Sequence, residues 1–385
     1  MTTMILEKSE TTEQPVIGLK IALKRDVLLN ALNLVIKSVS TRSTLPILAH
    51  FLIEAREGHV YLNATNLETG IRLKVDALVE TDGVCAIPAK TLLDCVKTLP
   101  KNSDVSIEVG ERFVLSCGKR VFKLNYFRDA SEFPLLAHVL NSKPITILSD
   151  VLRTAIKEVQ FAAADDDSRP VMASIGLHIS ENAINLVGAC SFRMAVRSIC
   201  HAGSQDVMLI IPIAAMRMLA EVLPKDTEVV ITWNEKLSQV VFQADALTLV
   251  SRLIEGTFPN YAAAIPKQHA TTFTLGRKDL EQIIKAFVPF ARDSSNILKV
   301  FYAGEQVSFL AESEGLGSVR DELPAVIEGN DGHIIFNILY LSDVLKAVSD
   351  ECFTFFLSGE ARPAVIVPLG RDDYQYVLMP MSPNR

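Results

Sequence analysis

Few residues in this sequence have the type and spacing to do chemistry. The acidic triplet Asp165-Asp166-Asp167, in "AADDDSRP", carries enough charge to attract a hard cation. A dedicated cation loop spaces its ligands and turns on a glycine, and this stretch does neither. Two readings stay open for it, a solvated loop and a cation-assisted hydrolase site. The six cysteines (Cys85, Cys95, Cys117, Cys190, Cys200, Cys352) form no C-x-x-C pair, and each sits in an apolar run. That predicts buried free thiols and a reducing, cytoplasmic setting. The seven histidines are scattered singly. "SCGKR" has one glycine and no following Ser or Thr, so it cannot cradle a phosphate as a Walker loop does. H-E-x-x-H, G-x-S-x-G and G-x-G-x-x-G are absent. No catalytic residue, metal or cofactor is expected, and a binding or scaffold role rises by default.

The positive charge is better organised. Helix-like segments carry Lys24, Arg25 and Lys37, then Arg153 and Lys157, then Arg277, Lys278, Lys285 and Arg292. A second set carries Lys90, Lys97 and Lys101, then Arg217 and Lys225, then Lys346. Net charge is −7, which argues against a nucleic-acid partner only if the charge is spread evenly. Phosphate neutralisation needs a local field and reads no sequence. Asp26, Asp94, Glu158, Glu221 and Asp343 interrupt the basic faces, and helix surfaces are charged in any case.

The elements that would position these groups recur. Three segments, "EGHVYLNATNLETGIRLKV", "SENAINLVGACSFRMAVRSI" and "AGEQVSFLAESEGLGSVRDEL", each read as a turn, an alternating strand, a break and a second strand. Val60, Ile184 and Val307 hold equivalent places, 124 and then 123 residues apart. Each segment is followed by a strand leading into a helix that starts at Pro88, Pro212 or Asn337, where proline or a capping Asn belongs. Leu92, Cys95, Val96 and Leu99 give the first of these helices an apolar stripe. A further helix opens each unit: "KRDVLLNALNLVIKSVS", "LSDVLRTAIKEVQFAAA" and "GRKDLEQIIKAFVPFA". More strands close it, with Phe133-Pro134 and Phe258-Pro259 spaced by 125. The expected fold is α+β: an N-terminal extension over 1–18, then repeats over 19–141, 142–269 and 270–385. In this scheme the apolar ending "YQYVLMPMSPNR" begins as the last strand of the third repeat.

Composition agrees with a globular chain, 49% apolar and 22% charged over 385 residues. "MTTMILEKSETTEQPVIG" lacks the layout of a signal peptide, and the longest apolar run, 207–216, is too short to span a bilayer and contains Pro212. A soluble cytoplasmic protein with no membrane partner is expected.

Over Leu19 to Met381 the chain resembles the bacterial DNA polymerase III β-subunit family of replicative sliding clamps. The stretches that carry the likeness are "TRSTLPILAHFLIEA", "LNATNLETGIRL", "IPAKTLLDCVKTLP", "EGTFPNY" and "YVLMPM". The resemblance implies a non-enzymatic processivity factor: three clamp domains per chain, helices inside and antiparallel sheets outside, closed as a head-to-tail homodimer ring. It implies double-stranded DNA, the polymerase III α subunit, the clamp loader and other clamp-binding proteins as partners. DNA contacts carry over to Arg42, Lys90 and Arg169, joined by the helix cations Lys24, Lys157, Arg217 and Lys278. A partner-peptide pocket carries over to Phe192, Arg193, Met194, Pro259, Ala264, Tyr340, Ala361, Pro363, Val377, Met379, Pro380 and Met381. The seam is expected between an edge strand in "SCGKRVFKLNYF" (Lys119, Arg120, Phe122) and "ESEGLGSVRDEL" (Glu314, Asp321, Glu322), with Phe290 nearby.

Three departures from the family pattern stand out. Where the family has "TDGHR" or "TDSHR", this chain has "ACSFR" (Ala189 to Arg193), which makes a polar turn apolar. Asp166, Pro170 and Val171 differ from the groups usual beside Arg169. Ser382 to Arg385 extend beyond the usual end. These departures open the alternative of a diverged clamp-like interaction protein with a changed partner set.

Overall fold

Alternating strands and amphipathic helices recur along the chain, but a strand (Lys20–Lys24, Ile145–Leu148 and Thr271–Gly276) precedes the helix expected to open each unit. The computed structural model describes residues 18–40, 45–127, 129–134, 144–166, 168–203, 205–234 and 238–382. Arg42, Asp167, residues 1–17 of the extension, the 141/142 junction and Pro383 to Arg385 therefore lie outside the described residues. The helices are α1 (Arg25–Val35), α2 (Ala89–Lys97), α3 (Ser149–Gln160), α4 (Ile213–Val222), the single turn α5 (Tyr261–Ala264), α6 (Arg277–Asp293) and α7 (Ile338–Ala347). Among the described residues no helix is long and apolar enough to cross a membrane.

The chain divides into two compact units, one of residues up to 146 with 227–234 and 241–251, the other of 147–226, 235–240 and 252–385. In the first unit, strands Leu78–Thr81, Lys20–Lys24, Asp104–Val109, Phe113–Cys117 and Arg120–Leu124 form a five-stranded sheet in that order. An eight-stranded sheet joins strands of two repeats: Leu247–Arg252 pairs antiparallel with Thr69–Val75, Leu247 opposite Leu73 and Ser251 opposite Thr69. The second unit repeats the device. Its nine-stranded sheet places Arg193–Cys200 of the second repeat beside Tyr374–Leu378 of the third. A four-stranded sheet (Gly317–Pro324, Gln306–Ser313, Ile297–Ala303, Gly332–Asn337) completes that unit.

Helix pairing uses one joint three times. Arg25 donates to the Val96 and Lys97 carbonyls at the end of α2 at 3.2 and 3.1 Å. Arg153 reaches the carbonyls of Ala220, Leu223 and Pro224 at the end of α4. Arg277 reaches Leu345 and Ser349 at the end of α7. The last carbonyls of a helix lack intrahelical partners, and a guanidinium fork answers several at once. These arginines, which the sequence places on the basic helix faces, are thus committed to helix ends. Close layering also needs Gly188, where a Cβ would stand 2.2 Å from the Val159 carbonyl oxygen of α3.

Two sequence expectations are corrected. Cys85 and Cys117 are buried, but Cys200 is exposed and Cys95, Cys190 and Cys352 are half-buried. Cys200 ends its strand and points away from the core, which an apolar neighbourhood in sequence does not reveal. In α2, Leu93 rather than Cys95 joins Leu92 and Val96 in the core.

His50 is buried beside Phe127, ring centroids 4.7 Å apart, with Nδ1 2.9 Å from the Pro46 carbonyl. Burial lowers its pKa despite the hydrogen bonds to the Pro46 and Ile47 carbonyls. A His whose folded pKa lies below the unfolded value, about 6.5, gives full stability above that pH and loses it as the pH falls toward the folded value. Wild type should therefore lose stability on acidification below about pH 6.5 more steeply than His50→Phe. Urea midpoints measured at pH 5, 6 and 7 check this, and equal slopes would refute it.

Candidate functional site

The apolar ending sits in the middle of the nine-stranded sheet. Strand Tyr374–Leu378 pairs on one side with Arg193–Cys200 and on the other with Ala364–Pro368, so Leu378 lies opposite both Arg193 and Ala364. Tyr374, Tyr376 and Leu378 are fully buried. The Tyr374 hydroxyl donates to the Glu158 carbonyl and the Tyr376 hydroxyl to the Tyr340 carbonyl, each at 3.1 Å. Burial drives both phenol pKa values far up, so both stay protonated donors. Past the strand, Met379 N–H donates to the Phe192 carbonyl at 2.9 Å and Met381 N–H to the Ile335 carbonyl at 2.8 Å. Met379 remains 40% exposed and Phe192 55%, so two large apolar groups flank this junction in solvent.

Beneath them is an apolar floor. Met194 and Val377 share a buried cluster with Val187, Val196, Ile210 and Phe258, and Val171, Tyr261 and Ile265 pack on its margin. The segment "EGTFPNY" supplies one border. Its Phe258 ring fits because residue 176 is glycine, where a Cβ would stand 3.0 Å from the ring. Pro259 on this segment and Ala264 just beyond it are exposed, and Pro259 helps line a cavity of about 340 Å³ with His178, Met208 and Phe258.

Arg193 braces the other side. Its Nη1 lies 2.5 Å from Asp343 Oδ2, and its guanidinium rests over the Tyr340 ring at 4.4 Å and the Phe161 ring at 5.6 Å. Burial opposes the charge, but Asp343 outweighs it and the Arg193 pKa is raised. The structure thus brings together Phe192, Arg193, Met194, Tyr340, Val377 and Met379. Pro363 is half-buried just before strand Ala364–Pro368, Pro380 and Met381 are half-buried beyond Leu378, and Ala361 is exposed on a turn.

Sequence reasoning missed the acidic half of this site. Asp343 and Glu158, which interrupt the basic faces, are the partners of half-buried arginines. Glu158, 5% exposed, meets Arg371 at 2.8 Å and Arg197 at 2.8 Å, while Asp373 and Asp350 also bind Arg371. Burial works against the Arg371 charge, yet Glu158, Asp373 and Asp350 raise its pKa. Phe161, His178 and Tyr261 were missed as well; the only signal for Tyr261 was its place at the end of "EGTFPNY".

The expected DNA-contacting cations differ in their surroundings. Lys90, Lys157 and Lys278 are exposed on α2, α3 and α6. Lys24 pairs with Asp104 at 2.7 Å and Arg217 with Asp165 at 3.3 Å, in exposed contacts that contribute little. Arg169 donates to Ser191 at 3.0 Å and lies 3.4 Å from Asp166, so it is tied to the turn that carries Phe192. Asp166 in turn accepts from the Ser168 backbone and hydroxyl. Among the described residues no group of three or more His, Cys, Asp or Glu could hold a metal.

Among the described residues, two sheets end in unpaired edge strands. Arg120–Leu124 ends the five-stranded sheet with Arg120 and Lys123 exposed and Val121 51% exposed. Gly317–Pro324 ends the four-stranded sheet, with Asp321 and Glu322 exposed and Glu314 at the preceding turn. Lys119 occupies the turn before the first edge, Phe122 is half-buried within it, and Phe290 is half-buried on α6.

The chain is similar to known proteins along most of its length. Models of the N-terminal, central and C-terminal domains of the DNA polymerase III beta subunit match residues 19–137, 146–260 and 262–382. The beta sliding clamp of Staphylococcus aureus (strain Mu50) is 27% identical over 376 residues, covering 94% of this chain and 99% of the relative. A sliding clamp from Pseudomonas aeruginosa bound to griselimycin superposes with a TM-score of 0.90 at 25% identity, over 95% of this chain and all of that one. The Bacillus subtilis clamp gives 0.89 at 25% identity, over 95% and 99%. Three matched domains in the family's order assign the chain to the DNA polymerase III β-subunit family, the non-catalytic sliding clamps of DNA replication.

Proposed function

We propose that two copies of this chain close head to tail into a ring around duplex DNA, and that each copy tethers the replicative polymerase through the groove beside its tail strand. The strand exchange between repeats carries this reading. Thr69–Val75 of the first repeat is completed by Leu247–Arg252 of the second, and Arg193–Cys200 of the second by Tyr374–Leu378 of the third. By the same rule, among the described residues Gly317–Pro324 of the third repeat lacks a successor and Arg120–Leu124 of the first lacks a predecessor. One edge is acidic and the other basic, and unlike edges joined head to tail must close into a ring. The repeat boundaries 19–141, 142–269 and 270–385 belong to this reading. Lys90, Lys157 and Lys278, with Arg42, would meet phosphates without reading sequence. Tethering raises the local concentration of polymerase at its template, which is the physical basis of processivity.

The test is twofold. The protein should run as a dimer, and Asp321→Lys with Glu322→Lys should shift it to monomer in sedimentation. A fluorescent peptide copying the carboxy-terminal tail of the replicative polymerase should bind saturably, and griselimycin, the ligand of the P. aeruginosa clamp, should compete. A monomeric wild type that is never retained on circular DNA would refute the ring.

The exposure of Phe192 favours a second reading, a changed partner set. In that case the dimeric ring forms but the polymerase peptide does not bind.

A further inference from the structure

The segment that borders the groove is held by a polar latch, and we propose that Tyr261 is a positioning residue for partner binding. The inference rests on the groove reading above. The segment leaves the sheet where Ile254 N–H donates to the Ile210 carbonyl at 2.8 Å. Phe258 then seats on Gly176, and Asn260 caps α5 by accepting from Ala263 N–H at 3.3 Å. Tyr261 follows, with its ring on the margin of the apolar cluster and its hydroxyl among polar groups of the sheet. Tyr261 Oη is 2.7 Å from His178 Nδ1 and 3.2 Å from Asn185 Nδ2. His178 Nε2 lies 2.9 Å from Asp206, and Ser198 donates to Asn185 Oδ1 at 2.6 Å.

One proton arrangement satisfies the whole chain of bonds. Ser198 donates to Asn185, Asn185 to Tyr261, Tyr261 to His178 Nδ1, and His178 Nε2–H to Asp206. The sheet thus offers one acceptor and one donor to a single hydroxyl carried by the segment. This directional anchor fixes where Pro259 and Ala264 stand, which apolar packing of Phe258 alone would not. A preformed wall spares an incoming peptide the entropy of ordering it.

Tyr261→Phe keeps the ring and removes the hydroxyl. Amide exchange across residues 260–265 should quicken about tenfold, and affinity for the polymerase-tail peptide should fall about five- to tenfold, with little change in thermal midpoint. His178→Ala should reproduce both effects. His178→Asn, whose amide oxygen can stand in for Nδ1, should restore them, a rescue that lost packing would not allow. Combining Tyr261→Phe with His178→Ala should cost less than the sum of the two, since both remove the Tyr261–His178 bond. Unchanged exchange in Tyr261→Phe overturns the latch whatever the peptide does. Faster exchange with undiminished affinity overturns the positioning role while the groove stands. A wild type that binds no peptide removes the groove reading, and the positioning role with it.

Discussion

A chain cut after Leu378 is expected to fold normally and to lose binding of the polymerase-tail peptide by on the order of a hundredfold, about 3 kcal/mol. The cut leaves the tail strand whole, with its pairs to Arg193 and Ala364 and the buried Tyr374 and Tyr376. It removes Met379, 40% exposed, whose backbone joins the Phe192 turn, and Met381, whose backbone joins Ile335. Methionine suits a surface that must accept several partners, because its unbranched thioether adapts to different side chains. Fluorescence anisotropy on the full and shortened chains gives the affinities, and thermal unfolding checks the fold. Equal affinity for both chains would move the groove elsewhere on the molecule.

The second large effect is on stability. Glu158→Ala should cost about 3 kcal/mol, because it leaves Arg371 and Arg197 partly buried without their shared carboxylate. Asp373 and Asp350 still face Arg371, and Asp373 also bonds Arg197, so the loss should lie at the low end for a broken buried pair. Glu158 sits on α3, while Arg371 and Asp373 precede the tail strand, so the network sets where that strand begins. Calorimetry should show the second unit melting earlier. Peptide affinity should weaken as well, since the Glu158 carboxylate holds Arg371, just ahead of the strand that leads to Met379. An unchanged melting profile would mean that the aspartates alone hold the arginines.

Much of the architecture is legible in the sequence because it follows from local rules. Alternation gives the strands, and the caps at Pro88, Pro212 and Asn337 give the helix starts; the Asn337 side chain does accept from Leu339 N–H. The recurrence near 124 residues groups these elements into repeats. Which strands pair is another matter. The joining of Leu247–Arg252 to Thr69–Val75 depends on contacts far apart in sequence, which periodicity does not encode. Charge misleads for a related reason. Arg25, Arg153 and Arg277 look like surface cations until the helix ends they serve are in place. Glu158 and Asp343 look like gaps in a basic face until Arg371 and Arg193 arrive from elsewhere. The proposed groove was legible only through resemblance, since apolar residues on a tail strand are equally what a core requires.

The threefold arginine joint has an electrostatic consequence. A helix ends in a negative pole of roughly half an elementary charge, and α2, α4 and α7 each end in one. On a protein of net charge −7, bare poles would add repulsion toward any polyanion nearby. Arg25, Arg153 and Arg277 cancel them at source. In the proposed ring, exposed lysines such as Lys157 and Lys278, rather than the helix poles, would then set the sign of the field a duplex meets.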